Sequence, residues 1–268
     1  MTGMSNRCGV FSWFGFELPL SDRLKLIREA GFDSTSVWLG EEEELVKDGK
    51  EDLIPELVRD CGLFFENIHA PFDQCNKIWA EDKSVRSEIK SQYRSCISFC
   101  SRHEIPIVVI HISRGSNAPE VNKYGINMIE EIVKYAEDSG VVIAIENTAK
   151  PHYLDRIYSS IESPALGFCY DSSHDFLGFS TPGKILRKWG HLLTATHLSD
   201  NDGISDRHWI PEEGIIDWEV VENQFPKDSY TGFFTLEVLP KNREAESASS
   251  FLDKAFESVL WIKSFLVH

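Results

Sequence analysis

Eight short apolar runs alternate with amphipathic stretches along this 268-residue chain, and no other feature restricts its fold so tightly. The runs fall at 8–14, 34–39, 63–69, 107–111, 141–147, 166–171, 193–198 and 233–238. The plainest is Val141-Val142-Ile143-Ala144-Ile145, whose five apolar, mostly β-branched residues read as a strand buried on both faces of a parallel sheet. Helix signals fill the intervals. Ser21 and Asp22 offer N-capping oxygens to a helix with Leu24, Ile27 and Ala30 on one face and Gly31 as its C′ residue. Helical spacing recurs over 53–61, 84–102, 122–139, 153–161, 183–190 and 217–223. It returns over 244–266, where Phe251, Leu252, Ala255, Phe256, Val259 and Leu260 read as buried. The acidic run at 41–44 reads as a solvated loop or helix face. Eight strand–helix alternations in a chain near the roughly 250-residue norm predict an α/β fold, a single (β/α)8 TIM barrel domain over 1–268. A doubly wound open sheet usually announces itself by a Gly-rich first turn, and Trp13-Phe14-Gly15-Phe16 is not one.

Charge and cysteine usage narrow the setting. A formal charge of −16 disfavours nonspecific binding to nucleic acid and to anionic membranes, although a bound metal cluster would reverse the sign locally. No run reaches membrane-spanning length, and Asn6, Arg7 and Cys8 precede any apolar segment, so no signal peptide is expected. The six cysteines form no CxxC pair and read as reduced, mostly buried thiols of a cytoplasmic protein.

The chemistry lies where the runs end. In a barrel, the carboxyl ends of the strands share one face. The third run ends at His69, the fourth at His111 and the fifth at Glu146. The sixth ends at Asp171 with His174 one turn on, the seventh at His197, and the eighth holds Glu237 near its end. Six successive strands thus aim a metal-capable side chain at one face, while the strand interiors read as otherwise apolar. An ionised carboxylate at the end of an apolar strand is costly to desolvate unless a cation or hydrogen bonds receive it. The loop after the seventh strand adds Asp206 and His208, which join the group if the loop folds over the barrel mouth. Mixed imidazole and carboxylate donors suit zinc, manganese or cobalt. A metal on Glu146, Asp171, His197 and Glu237 would chelate a polyol or carbonyl substrate as a Lewis acid. Trp13 and Trp38 lie where they could pack on the apolar face of a sugar.

These residues make the chain resemble the xylose-isomerase-like barrel superfamily, which contains sugar phosphate isomerases and epimerases, ketose 3-epimerases, inosose dehydratases and endonuclease IV. The resemblance covers essentially the whole chain. It is sharpest at Ile145-Glu146-Asn147, at Asp171 and His174 (D-x-x-H), and at His197-Leu198-Ser199-Asp200-Asn201-Asp202-Gly203. Asp206-x-His208, Gly214-Ile215-Ile216-Asp217-Trp218 and Thr235-Leu236-Glu237 complete it. The resemblance implies one divalent metal on Glu146, Asp171, His197 and Glu237, with the two glutamates also acting as the acid/base pair and His174 hydrogen-bonding the substrate. His69 is a further substrate-binding candidate. Homo-oligomers are common in such barrels. The chain departs from ketose 3-epimerases at His152, where they carry Glu, and at Gly203, where they carry Arg. The family's Pro-Gly-x-Gly turn is altered too, with Glu212 after Pro211.

Endonuclease IV defines the alternative. It binds three zinc ions through nine ligands, and nine residues of those types stand here in the same order: His69, His111, Glu146, Asp171, His174, His197, Asp206, His208 and Glu237. Glu146-Asn147-Thr148-Ala149 also matches its strand-five motif, but Lys150-Pro151-His152 replaces the Gly-Gln-Gly that follows. The first third, around 16–20 and 26–32, reads more like sugar isomerases. The expected function is therefore a divalent-metal-dependent sugar or sugar phosphate isomerase or epimerase, with a dehydratase as a variant. A three-metal phosphodiesterase on abasic DNA comes second, and a non-catalytic sugar- or metal-binding barrel third. One metal ion is expected, and up to three can be accommodated.

Overall fold

The computed structural model describes residues 7–39, 43–148, 150–178 and 181–266. Of the acidic run, Glu41 and Glu42 lie outside these residues, as does Ala149. Eight parallel strands alternate with helices: β1 (Cys8–Phe11), α1 (Leu20–Ala30), β2 (Ser34–Trp38), α2 (Glu43–Lys47), α3 (Ile54–Asp60), β3 (Phe64–His69), α4 (Lys83–Arg102) and β4 (Ile107–Ile110). Then follow α5 (Lys123–Asp138), β5 (Val142–Glu146), α6 (His152–Tyr158), β6 (Leu166–Asp171), α7 (Ser172–Gly178), α8 (Lys184–Trp189), β7 (Leu193–His197), α9 (Trp218–Gln224), β8 (Phe234–Leu236) and α10 (Ala248–Leu266).

The strands are laid in the order β7-β6-β5-β4-β3-β2-β1-β8, so the chain's first strand pairs with its last, Gly9 against Thr235. The remaining seam, between β7 and β8, closes through a parallel bridge between Leu198 and Leu236. Thr196 stitches it from below: its hydroxyl accepts from the Thr235 N–H at 3.0 Å and donates to the Phe233 carbonyl at 3.2 Å. The fold is the expected TIM barrel.

Most buried apolar side chains lie between the sheet and the surrounding helices, and Ile107, Val109, Ala144, Cys169 and Ala195 form a separate cluster. Strand alternation places that cluster inside the barrel on the β4–β7 side. The expectation of uniformly apolar strand interiors fails on the opposite side. Ser34, Thr35, Ser36, Glu66, Asn67 and Thr235 are all buried. Glu66 on β3 hydrogen-bonds through Oε2 with the Thr235 hydroxyl on β8, so its side chain crosses the barrel interior. Gly9 makes room for that meeting, since a Cβ there would lie 2.5 Å from both Ser34 Oγ and Thr235 Oγ1.

Several boundaries differ from the sequence reading for local reasons. Helix α1 starts at Leu20 with Pro19 at its N-cap and no side-chain cap, so Ser21 and Asp22 sit inside its first turn. Its end is as read, with Gly31 in the left-handed region at φ 110°. Asp217 caps α9 through the Glu219 N–H. In α10, Leu260 is exposed and Phe256 only partly buried, because Ser258 and Ile262 take the inward positions. No disulfide joins the six cysteines, of which all but Cys61 are buried. No helix among the described residues is long and apolar enough to cross a membrane.

Candidate metal centre

The strand ends bring their polar groups to one point. Glu146, the last residue of β5 and 1% exposed, stands at the centre. Its Oε2 lies 3.2 Å from His69 Nε2, 3.1 Å from His111 Nε2 and 3.0 Å from His197 Nδ1. Its Oε1 lies 3.0 Å from His174 Nδ1. Four imidazoles from four different strand ends therefore meet one carboxylate. Glu237, just beyond β8, approaches the same His197 Nδ1 at 2.9 Å. Asp171 closes the group from β6, held by Asn147, whose side chain donates to its carbonyl and accepts from its N–H, both at 2.8 Å.

The loop after β7 does fold back over the mouth. Asp200 is the knot that makes it do so: fully buried, it accepts from the N–H groups of Asn201, Glu212 and Ile216 and from the Trp218 indole. Backbone hydrogen bonds run both ways between Asp200 and Trp209. Gly214 packs so closely that a Cβ would lie 2.2 Å from the Asn201 carbonyl. This delivers Asp206, whose Oδ2 is 3.1 Å from both His174 Nε2 and His208 Nε2, while Ser173 supports Oδ1 at 2.6 Å. His208 Nδ1 faces Glu237 Oε1 at 3.8 Å. All nine ligand candidates lie in this one network.

The donor set fits divalent cations. His197 Nδ1, His111 Nε2 and Asp171 Oδ2 are buried yet lack a partner in hydrogen-bond geometry, although carboxylate oxygens stand about 3 Å from both imidazoles. Close approach without hydrogen-bond alignment is what lone pairs aimed at a shared cation produce. Three groupings bring ligand atoms within 4.8 Å of one another: His69/His111/Glu146, Glu146/Asp171/His174 and Asp171/His197/Glu237. Bonds of about 2.0–2.2 Å to an ion between them would span such separations. Cys169 adjoins Glu146 and His197 in a fourth grouping, and burial pushes its thiol up to about 12.

Electrostatics express the same demand for positive charge. Burial pushes Asp171 up to about 7, and repulsion from Glu146, Asp206 and Glu237 adds to it against the pull of His174. Burial opposes charging His197, yet Cys169, Glu146 and Glu237 raise its proton affinity well above an ordinary histidine's. Burial likewise opposes His208, but Glu237 and Asp206 lift it to about 10. For Glu146, His111 and His197 outweigh burial and hold the carboxyl well below its usual range. His111 goes the other way, lowered by burial despite Glu146. The carboxylates thus draw protons onto His197 and His208, and metal cations would compete for the same places.

A cavity of about 350 Å³ opens onto the network. Trp38 lines it, with its ring 5.9 Å from that of His69. Trp13 instead lies beneath the Arg23 guanidinium and is not part of the lining. Five lining residues escaped sequence reasoning: Phe72, Ser113, Arg114, Gly115 and Thr148. Their signal was position, since each follows a strand end by only a few residues.

The comparisons with known proteins agree with the fold. The profile of the xylose isomerase-like TIM barrel family matches residues 24–255. An uncharacterized protein of Sinorhizobium fredii is 26% identical, with 91% of this chain and 88% of that one covered. Fructoselysine 3-epimerase of Shigella flexneri is 20% identical over 87% of this chain and 90% of its own. The crystal structure of a D-tagatose 3-epimerase-like protein superposes with a TM-score of 0.74 at 22% identity, covering 96% of each chain.

Proposed function

Starting from a chain that belongs to the xylose isomerase-like TIM barrel family, we propose a divalent-metal-dependent isomerase or epimerase of a small sugar or sugar phosphate, working as one barrel domain. One observation carries the reading: Glu146, Asp171, His197 and Glu237 converge from four strand ends, with both glutamates against a single imidazole nitrogen. These four would hold the cation. When bound, it supplies Lewis acidity toward a carbonyl–hydroxyl pair of the substrate, which makes the adjoining C–H acidic. Glu146 and Glu237 are the proton carriers. One carboxylate takes the proton from carbon, and the other, protonated, returns one to the substrate. The second carboxyl regains its proton, and the first loses its own, by exchange with water between turnovers. Asp206 and Glu146 hold the two ring nitrogens of His174, and in this reading one of those contacts gives way to a substrate hydroxyl. Trp38 and Phe72 offer an apolar wall to the sugar's carbon face.

The test is deuterium incorporation from D2O into a panel of ketoses and ketose phosphates. Exchange should require added zinc, manganese or cobalt and should fall about 10²–10⁴-fold in Glu237→Gln. Undiminished exchange in that variant would remove Glu237 from the acid/base role.

The nine-residue network favours a second reading, a three-metal phosphodiesterase acting on abasic DNA. Glu146 touches both the His69/His111 side and the His174 side, and Asp206 joins His174 to His208, as a multi-ion centre would need. Metal content after native purification separates the two. About one equivalent supports the isomerase. Close to three zinc ions with nicking of abasic duplex would replace it.

A further inference from the structure

Arg114 is the one permanently charged cation among the described residues lining the cavity, in a chain of net charge −16 and opposite a cluster of carboxylates. Its placement is built rather than incidental. Both polar atoms of the Asn76 amide grip its backbone: the Arg114 N–H donates to Asn76 Oδ1 and Asn76 Nδ2 donates to the Arg114 carbonyl, each at 2.9 Å. Its guanidinium lies over the Phe72 ring, 5.1 Å from the centroid. Phe72 in turn packs against the His111 ring, with centroids 4.8 Å apart and planes 34° apart. His111, Phe72 and Arg114 therefore form a column from the metal centre to the rim.

The guanidinium is also available. Its partner Asp73 is 80% exposed, and a solvent-exposed ion pair of this kind is weak, so an incoming anion can displace it. Guanidinium carries several N–H donors in a planar fork that matches an oxyanion. Beside it in the same lining stand the paired hydroxyls of Ser113 and Thr148, 2.5 Å apart, and Gly115. A neutral sugar would use only the N–H donors of this group, whereas an anionic one would use its charge as well.

We propose that Arg114 receives the terminal phosphate of a sugar phosphate whose reacting carbons lie at the metal centre. This deepens and rests on the isomerase reading. It narrows the substrate class from sugars in general to phosphorylated ketoses, with Arg114 as the residue that sets the preference. Ser113 and Thr148 supply hydroxyl donors to the same group.

The test uses metal-loaded full-length protein and isothermal titration with D-fructose 6-phosphate and D-fructose, and with D-ribulose 5-phosphate and D-ribulose. The native chain should bind each phosphate ester more tightly than its parent ketose. Arg114→Ala should weaken the ester about 10- to 100-fold, as loss of a charge-assisted contact implies, and at least tenfold more than it weakens the parent ketose. Arg114→Lys should recover part of that difference, and in turnover the loss should fall on KM more than on kcat. Equal affinity for ester and parent, or an equal loss of both in Arg114→Ala, would overturn the proposal. Metal-dependent exchange of either ketose in the same samples would leave the isomerase reading standing. Absence of binding and exchange with every sugar would strike both together.

Discussion

Replacing Glu66 by Gln isolates the one carboxyl group, among the described residues inside the barrel, that belongs to neither the metal network nor the surface. Its side chain is 2% exposed and ends among the Thr235, Ser34 and Asn67 side chains. Burial pushes its carboxyl from an ordinary 4.5 up to about 7, against the opposing pull of Thr235 and His197. The sign follows from linkage. The folded chain holds this proton more tightly than the unfolded chain does, so its contribution to stability is complete below about pH 4.5 and is lost as pH rises to about 7. At about 1.36 kcal/mol per pH unit across that window, the native protein gives up about 3 kcal/mol that a neutral Gln does not. The amide also keeps an oxygen for Thr235. In thermal melts from pH 4.5 to 8, Glu66→Gln should gain on the native chain steadily up to about pH 7 and stay level above it. The final gain should be roughly 6–12 °C relative to the offset at low pH. Taking the difference between the two proteins removes the titration of groups that do not interact with Glu66. Parallel melting curves across the range would show that Glu66 is not held protonated by burial, and the reasoning would fail.

Two further substitutions test how the site is held. Asp200→Ala strips the acceptor from three backbone N–H groups and an indole, so it should cost at least about 2 kcal/mol and weaken metal uptake through Asp206 and His208. Metal titration alongside a thermal melt reads both effects, and native metal affinity in a folded variant would disprove the role of Asp200 in seating the loop. Gly125→Ala on α5 would place a Cβ 2.1 Å from the Trp79 ring, whose indole donates to the Ile112 carbonyl behind the β4 loop. Overpacking of this kind should cost about 1–3 kcal/mol and alter Trp fluorescence, and an unchanged melt would mean that the ring moves aside freely.

The barrel and its ring of ligands were legible because both are periodic. Val142–Glu146 announces itself as a buried parallel strand, and a carboxylate or imidazole at the end of each such strand needs no tertiary knowledge to notice. The placement of Asp206 and His208 was conditional, since it depended on whether Asp200 would tie the loop down, and Asp200 reads as an ordinary loop acid. Glu66 was invisible for a different reason. Between Phe65 and Asn67 it looks like an outward-facing polar residue, and only the meeting with Thr235, 169 residues later, turns it inward. Arg114 likewise takes its meaning from Asn76 and Phe72, which belong to the preceding loop. At α1, a polar pair before an apolar face imitated a cap that Pro19 had already displaced. Periodicity reports which face a residue joins, but not which distant partner waits there.

The pairing of β1 with β8 has a consequence for how the molecule is made. During synthesis the strand Cys8–Phe11 must wait with an open edge until Phe234–Leu236 emerges, some two hundred residues later. An exposed parallel edge is prone to wrong pairings, so this interval is when chaperones would have most to shield. Glu237 follows that last strand directly, so the arriving strand also carries the final ligand. Barrel closure and completion of the metal centre are thus one late event in the life of the chain, and a nascent barrel cannot assemble its full ligand set before its ends have met.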